Sequence, residues 1–399
     1  MKRFPLIALV SMLLAAGPVA RAADSAARPE HVEGLSDGLY AECTTPRGAF
    51  TARLYYHLTP LVVTNFVGLA EGSLAPRNGQ PFYSGLKWYR VVPGFVIQSG
   101  DPTNPGGGMQ DRPPRDEKDD KAGHPFQFPD EIVPGLRHNA AGVLSMANDG
   151  PDTNSSEFFV TLRDTNRLNY LHSVFGRVVR GLEVLDQIQP GDALAIKIIR
   201  IGDDAKAFKA DGAALQERVA TAKKYTGAAE PGPAAHFDDP DKLLPADPPR
   251  AKNFNFKLAN FERFTGVRLV ARLFAKSPPA DADKVPGAYM HALADKLGVA
   301  QHGALAAYFA DDKDWRIWIG ADSAATFLGR PTTAKDFVEE GALHDAKTAF
   351  VKAAAEQGDA DYAAQQKAAP ADKPVPPAQQ LKLQTDAMLD GLILKLEPK

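Results

Sequence analysis

A single cysteine in 399 residues excludes an internal disulfide framework. Cys43 therefore reads as a small apolar strand residue, and stability has to come from packing. An excess of charge of one sign is also missing. The formal net charge is −3, which gives no electrostatic case for nucleic acid. Beyond residue 22 there is no long apolar run, so no stable membrane span is expected there. Gly106-Gly107-Gly108 lacks the Lys-Ser/Thr that completes a phosphate loop. His291, His302 and His344 are too scattered for a metal site, and the mixed-sign run at 116–121 has no ligand spacing. Neither metal nor cofactor is expected.

What is present begins at the first residues. Lys2 and Arg3 precede an apolar run over 6–16, and Ala20-Arg21-Ala22 has the form of a cleavage site. Residues 1–22 are expected to be a signal peptide, and the protein to be exported to a periplasm or secreted. No lipobox cysteine follows.

The length suits two domains. Residues 36–204 carry many short strand signals and few helices. Two strands flank the turn Pro46-Arg47-Gly48, and Thr59-Pro60 opens a helix that ends at Gly72, with Thr59 as its N-cap. Further short strands are expected near 87–99, 142–146, 157–161, 174–179 and 195–202. This pattern fits a β-barrel or sandwich covered by one or two helices. Residues 104–127 read as a long charged loop and 205–252 as a linker rich in Pro, Asp and Ala. A small α/β or α+β domain is expected over 253–366, including a helix over 333–357 that ends at Gly358. A Pro-rich stretch and a terminal amphipathic helix fill 367–399.

Two stretches concentrate chemistry. Residues 88–98 read WYRVVPGFVIQ, and residues 142–160 read GVLSMANDGPDTNSSEFFV. No nucleophile elbow and no carboxylate pair accompany them. They supply an arginine (Arg90), an amide (Gln98), an Asn in a Gly/Pro/Asp loop (Asn148) and aromatics (Phe95, Phe158, Phe159). Such groups suit twisting a bond better than breaking one. The X-Pro peptide bond has two accessible isomers and a barrier of roughly 18–20 kcal/mol. Its rotation needs an apolar cup for the ring, a donor to the prolyl nitrogen, and anchors for the flanking chain. Phe95, Phe159 and Leu168 would make the cup, Arg90 the donor, and Gln98 would orient Arg90 or hold a substrate carbonyl. Adjacent strand residues face opposite ways, so Phe158 is expected in the core and Phe159 at the pocket wall.

These stretches, together with Thr59-Pro60, Asn65-Phe66, residues 128–131 and residues 172–178, resemble the cyclophilins, which are peptidyl-prolyl cis-trans isomerases. The resemblance covers about residues 38–202. It implies a closed eight-stranded barrel with two capping helices, proline-containing polypeptide substrates and a role in folding assistance, as a chaperone of exported proteins. It places Arg90 on the catalytic arginine, and Phe95, Val96, Phe159, Leu168 and His172 on the proline pocket. Gln98 falls on the substrate-orienting glutamine, and Ala147, Asn148 and Asp149 on the segment along the substrate. Val96 stands in place of a usual methionine, Asp149 of a small residue and Glu157 of a frequent glutamine. Arg167 replaces a tryptophan that contributes to cyclosporin binding, so weak cyclosporin binding is expected. Residues 288–320 resemble, over a short span, the TPM domain of exported and membrane-linked proteins. A different class of function would keep the same residues: a scaffold or holdase that grips proline segments without turnover.

Overall fold

The structure is a computed structural model that describes residues 34–74, 79–102, 127–246, 248–338, 340–370 and 372–398. The leader at 1–22 and the loop at 104–127, except Gln127, lie outside the described residues.

The first sheet has eight strands: β1 (Gly38–Thr45), β2 (Gly48–Leu54), β3 (Arg90–Val92), β4 (Val96–Ser99), β5 (Val143–Met146), β6 (Phe158–Thr161), β7 (Val174–Arg180) and β8 (Ala195–Ile201). Their spatial order is β3-β4-β6-β5-β7-β2-β1-β8, all antiparallel. The expected closed barrel is corrected here to a curled, open half-barrel. No ladder joins β3 to β8. Among the described residues, the chain before the three-residue β3 meets the chain before β8 through the bridge Lys87–Ala193 and neighbouring bonds such as Trp88 N–H to Asp192 O at 2.9 Å.

Helix α1 (Pro60–Glu71) covers the half-barrel and ends, as expected, at Gly72 with φ of 77°. Its start differs from the sequence reading. Thr59 occupies the N-cap position but its hydroxyl donates to Tyr55 O at 3.2 Å. The Glu131 carboxylate caps the helix instead, accepting Leu61 N–H at 3.2 Å and Val62 N–H at 2.9 Å. A carboxylate in this place satisfies two orphan donors and meets the positive end of the dipole. Between helix and sheet lies an aromatic core. Phe66 meets Phe158 edge-on at 5.3 Å, and Phe158 meets Trp88 edge-on at 5.6 Å.

Residues 205–252 are not a bare linker. After the short α2 (Asp203–Ala207), helix α3 (Gly212–Thr221) packs back on α1 and buries Leu215 in the first core. Phe237 is fully buried in β9 (Phe237–Asp238) and pairs with Ala271. A buried guanidinium fixes the run before it. Arg272 donates to the carbonyls of Pro233, Ala235 and His236 at 3.0, 2.9 and 3.2 Å. Burial pulls its pKa down to about 10, still charged at neutral pH. Composition shows the prolines but not this long-range grip.

The second sheet contains β9, β10 (Leu269–Phe274), β11 (Ala304–Phe309) and β12 (Asp314–Ile319), in the order β12-β11-β10-β9. β9, β10 and β11 are parallel and β12 is antiparallel to β11. Helices α4 (Arg250–Thr265), α5 (Ala288–Lys296) and α6 (Ala324–Leu328) accompany it. Trp315 and Trp318 go to opposite faces, Trp315 against Tyr308 and Trp318 stacked on His291. The helix expected over 333–357 becomes a 3-10 turn (Ala334–Phe337) followed by α7 (Ala342–Ala368), which forms a hairpin with α8 (Ala378–Leu396). Gly358 does not end α7. A Cβ there would lie 2.4 Å from the Gln384 Cα, so the glycine permits the helices to cross closely.

The halves share buried contacts. Ile132 and Tyr170 pack into the second core. Arg263 on α4 meets Asp152 at 2.7 Å and Asp130 at 3.7 Å, and Asn260 Nδ2 donates to Tyr170 O at 3.0 Å. Glu397, just past α8, holds Arg137, Tyr170 and the Gly135 N–H.

Candidate active site

The β3–β4 turn at Pro93-Gly94 sets the register that opens the site. Arg90 pairs directly with Gln98, and Gln98 pairs across β4–β6 with Phe159. Strand alternation sorts the neighbours. Ile97 and Phe158 enter the core, whereas Val96, Gln98 and Phe159 belong to the opposite face. Phe158 and Phe159 thus take opposite faces, as the alternation predicts.

Arg90 Nη1 donates to Gln98 Oε1 at 3.1 Å. An arginine can only donate, so this contact fixes the amide with its oxygen toward Arg90. Gln98 Nε2 then donates to Glu157 Oε2 at 2.9 Å and also contacts the Tyr89 hydroxyl, which donates to the same carboxylate. Glu157 and Tyr89 are both buried. The result is a line from carboxylate to amide to guanidinium. Partial burial lowers the Arg90 pKa, opposed by Tyr89 and Glu157. Burial and the adjacent carboxylate push the Tyr89 phenol far up, so it stays neutral and donates.

Phe95 is half-buried and lies under two guanidinium groups. The Arg167 carbon is 4.4 Å from the ring centre and that of Arg90 5.8 Å. Val96 is buried beside it. Phe159 is held between two imidazoles: His138 stacks on it at 5.8 Å and His172 meets it edge-on at 5.3 Å. His172 Nδ1 hydrogen-bonds Met146 O at 3.0 Å, and burial lowers its pKa to about 4. Leu168 ends a 3-10 turn (Asn166–Leu168), and its carbonyl accepts from Leu171 and His172. Phe159 thus touches His172, Phe95 lies beside Arg90 and Arg167, and Val96 and Leu168 are the chain neighbours of Phe95 and Arg167.

Ala147, Asn148 and Asp149 follow β5. The Ala147 N–H is taken by Glu157 O at 3.0 Å. Asn148 Nδ2 donates to Leu171 O at 2.9 Å and Asp149 N–H to Thr153 Oγ1 at 2.9 Å. Asn148 thus braces its loop through its side chain. Sequence reasoning missed His138, which is the back wall of Phe159. Its ring is fixed by Asn169 at 3.0 Å and Ser145 at 2.9 Å. A lone histidine 21 residues before Phe159 gave no signal. Among the described residues no cluster of His, Cys, Asp or Glu is arranged to hold a metal ion, and no helix is long and apolar enough to cross a membrane.

A curled antiparallel sheet thus places a fixed arginine beside aromatic rings, and the comparisons with known proteins give the class of enzyme. The model of the cyclophilin type peptidyl-prolyl cis-trans isomerase/CLD family matches residues 40–202. A peptidyl-prolyl cis-trans isomerase-like 1 of Aspergillus fumigatus is 36% identical over 172 residues, 40% of this chain and 95% of that protein. The isomerase ppi1 of Schizosaccharomyces pombe is 41% identical over 143 residues, 36% of this chain and 80% of its own length. A crystal structure of a cyclophilin-type isomerase from Cryptosporidium parvum aligns with TM-score 0.32 and 27% identity, over 41% of this chain and 98% of that one. The chain belongs to the cyclophilin-type peptidyl-prolyl cis-trans isomerases. The match ends at residue 202, so the second sheet and the helical hairpin lie outside it.

Proposed function

We propose that the X-Pro bond turns in the hollow formed by Phe95, Val96, Phe159, Leu168 and His172, with Arg90 as the catalytic residue. As the amide twists, its resonance is lost and a lone pair localises on the prolyl nitrogen. A guanidinium N–H aimed there stabilises the twisted state more than the planar one. Gln98 acts as the positioning residue, because its carbonyl is already engaged by Arg90 and its amide by Glu157. Residues 147–149 run along the substrate and hold the flanking chain while the ring side stays fixed. Neutral imidazoles at His138 and His172 keep the hollow apolar at physiological pH.

The observation that carries this reading is the Glu157–Gln98–Arg90 line ending beside Phe95. The test is Arg90→Ala, with exchange between cis and trans followed on a short X-Pro peptide. Loss of one transition-state donor should lower kcat/KM by about 10²–10³. Unchanged turnover in a folded variant would remove Arg90 from the mechanism.

The proposed setting is outside the cytoplasm, with exported polypeptides as clients and their folding as the service. Lys2, Arg3, the apolar run and Ala20-Arg21-Ala22 support it. N-terminal sequencing of the protein recovered from fractionated cells should begin at Ala23. Recovery of the uncut chain from the cytoplasm would defeat this part alone.

A further inference from the structure

A cavity of 1010 Å³ lies between the loop at 163–169 and the α7–α8 hairpin. It reaches the upper end of the usual ligand range of about 300–1,000 Å³. One residue belongs to both this cavity and the hollow described above. Arg167 lines the cavity, and its guanidinium carbon stands 4.4 Å from the Phe95 ring centre. Asp386 and Asp390 on α8 stand close enough to act on that guanidinium, although each carboxylate is already paired with a lysine, Lys382 and Lys257.

The lining mixes kinds. Three arginines and four aspartates line it, while Phe350, Leu383, Ile393 and Leu394 add apolar surface. Leu394 is 56% exposed although it is a large apolar residue. With both signs present, a chain charged throughout with one sign meets repulsion as well as attraction here. An uncharged polypeptide with apolar side chains fits better, its backbone meeting the polar groups and its side chains the apolar ones. The wall is also preformed, because α7 and α8 cross closely at Gly358 and Glu397 ties the end of α8 to Arg137 and Tyr170.

We propose that this cavity binds the uncharged, apolar segment of a client polypeptide that flanks the X-Pro bond being turned. The inference rests on the placement of the proline against Phe95. It makes the helical hairpin, which lies outside the isomerase match, part of the substrate site.

The test compares two probes on the full chain by exchange NMR: the tetrapeptide Ala-Ala-Pro-Phe, and a long unfolded peptide with one central proline flanked by leucine and phenylalanine. The parent should favour the long peptide at least about fivefold in kcat/KM, equivalent to about 1 kcal/mol. Ala364→Trp, which fills the cavity from an exposed position, should lose that preference while the tetrapeptide rate stays unchanged. Leu394→Ala should do the same by removing apolar surface. A parent without preference overturns the proposal, as do two groove variants that keep it or that lose both activities together. Arg90→Ala separates the two readings. Retained tetrapeptide turnover there overturns the proline placement and the groove with it. Lost turnover there, with the long-peptide preference intact in both groove variants, overturns the groove alone.

Discussion

His138 should make this protein sensitive to acid in a way that a single substitution exposes. The ring is 1% exposed, stacked on Phe159 and fixed by Asn169 and Ser145. Burial lowers its pKa from 6.5 to about 3, with His172 and Lys257 adding to the effect. A depressed histidine binds fewer protons folded than unfolded. Its contribution is therefore complete above the unfolded pKa and fades as pH falls toward the folded one. At pH 4.5 the unfolded chain sits two units below its histidine pKa, while the folded ring is still neutral. At about 1.36 kcal/mol per unit, the folded state loses about 2.7 kcal/mol relative to neutral pH. Asp130 and Glu131 act in the opposite direction, since burial raises them to about 6 and about 7. Their raised values favour the folded state as pH falls from 7, so the total profile is flatter than the histidine alone dictates. Comparison with His138→Gln removes them, because both proteins carry the same carboxyl groups. The difference in unfolding free energy between the two should change by about 2–3 kcal/mol from pH 7 to pH 4.5. Urea unfolding followed by tryptophan fluorescence measures it, and NMR of the His138 ring checks the cause. A ring that titrates near pH 6.5 in the folded protein would refute the reasoning.

Four further outcomes are expected. Arg263→Ala strands Asp130 and Asp152 without their cation, and should weaken the join between the halves by about 3–5 kcal/mol, read as earlier hydrogen exchange in α4. Gly358→Ala gains about 1 kcal/mol of helix propensity but forces α7 from α8, and should lower the thermal midpoint of the hairpin region. Burial holds the Cys43 thiol far above its ordinary pKa, so a thiol reagent should label it only after unfolding. Arg167→Trp replaces the guanidinium that stands 4.4 Å from the Phe95 ring centre with an indole, and should strengthen cyclosporin binding, measured by calorimetry.

The strand geometry around Arg90 was legible because that part of the candidate site is local. Arg90, Phe95, Val96 and Gln98 lie on one strand-turn-strand, and a period of two assigns their faces. Phe158 and Phe159 sort by the same rule. The features that stayed hidden come from far along the chain. Glu131 caps a helix that begins at Pro60, and Thr59, the expected cap, points elsewhere. Arg272 orders residues 233–236 by taking their carbonyls, so a Pro- and Ala-rich run that looks like a linker is packed. Gly358 carries the ordinary mark of a helix end but serves as a crossing point, which only the partner helix reveals. The open edge between β3 and β8 was likewise hidden, because a family likeness gives strand number and order more readily than the last ladder.

The carboxylate at the head of α1 has a bearing on how the chain matures. Leu61 and Val62 wait for a partner 70 and 69 positions downstream. On a growing chain the first turn of that helix stays unsatisfied through the synthesis of β3 and β4. The helix that covers the half-barrel therefore gains its carboxylate cap only once residue 131 has been added, after every residue of the helix itself and of β3 and β4.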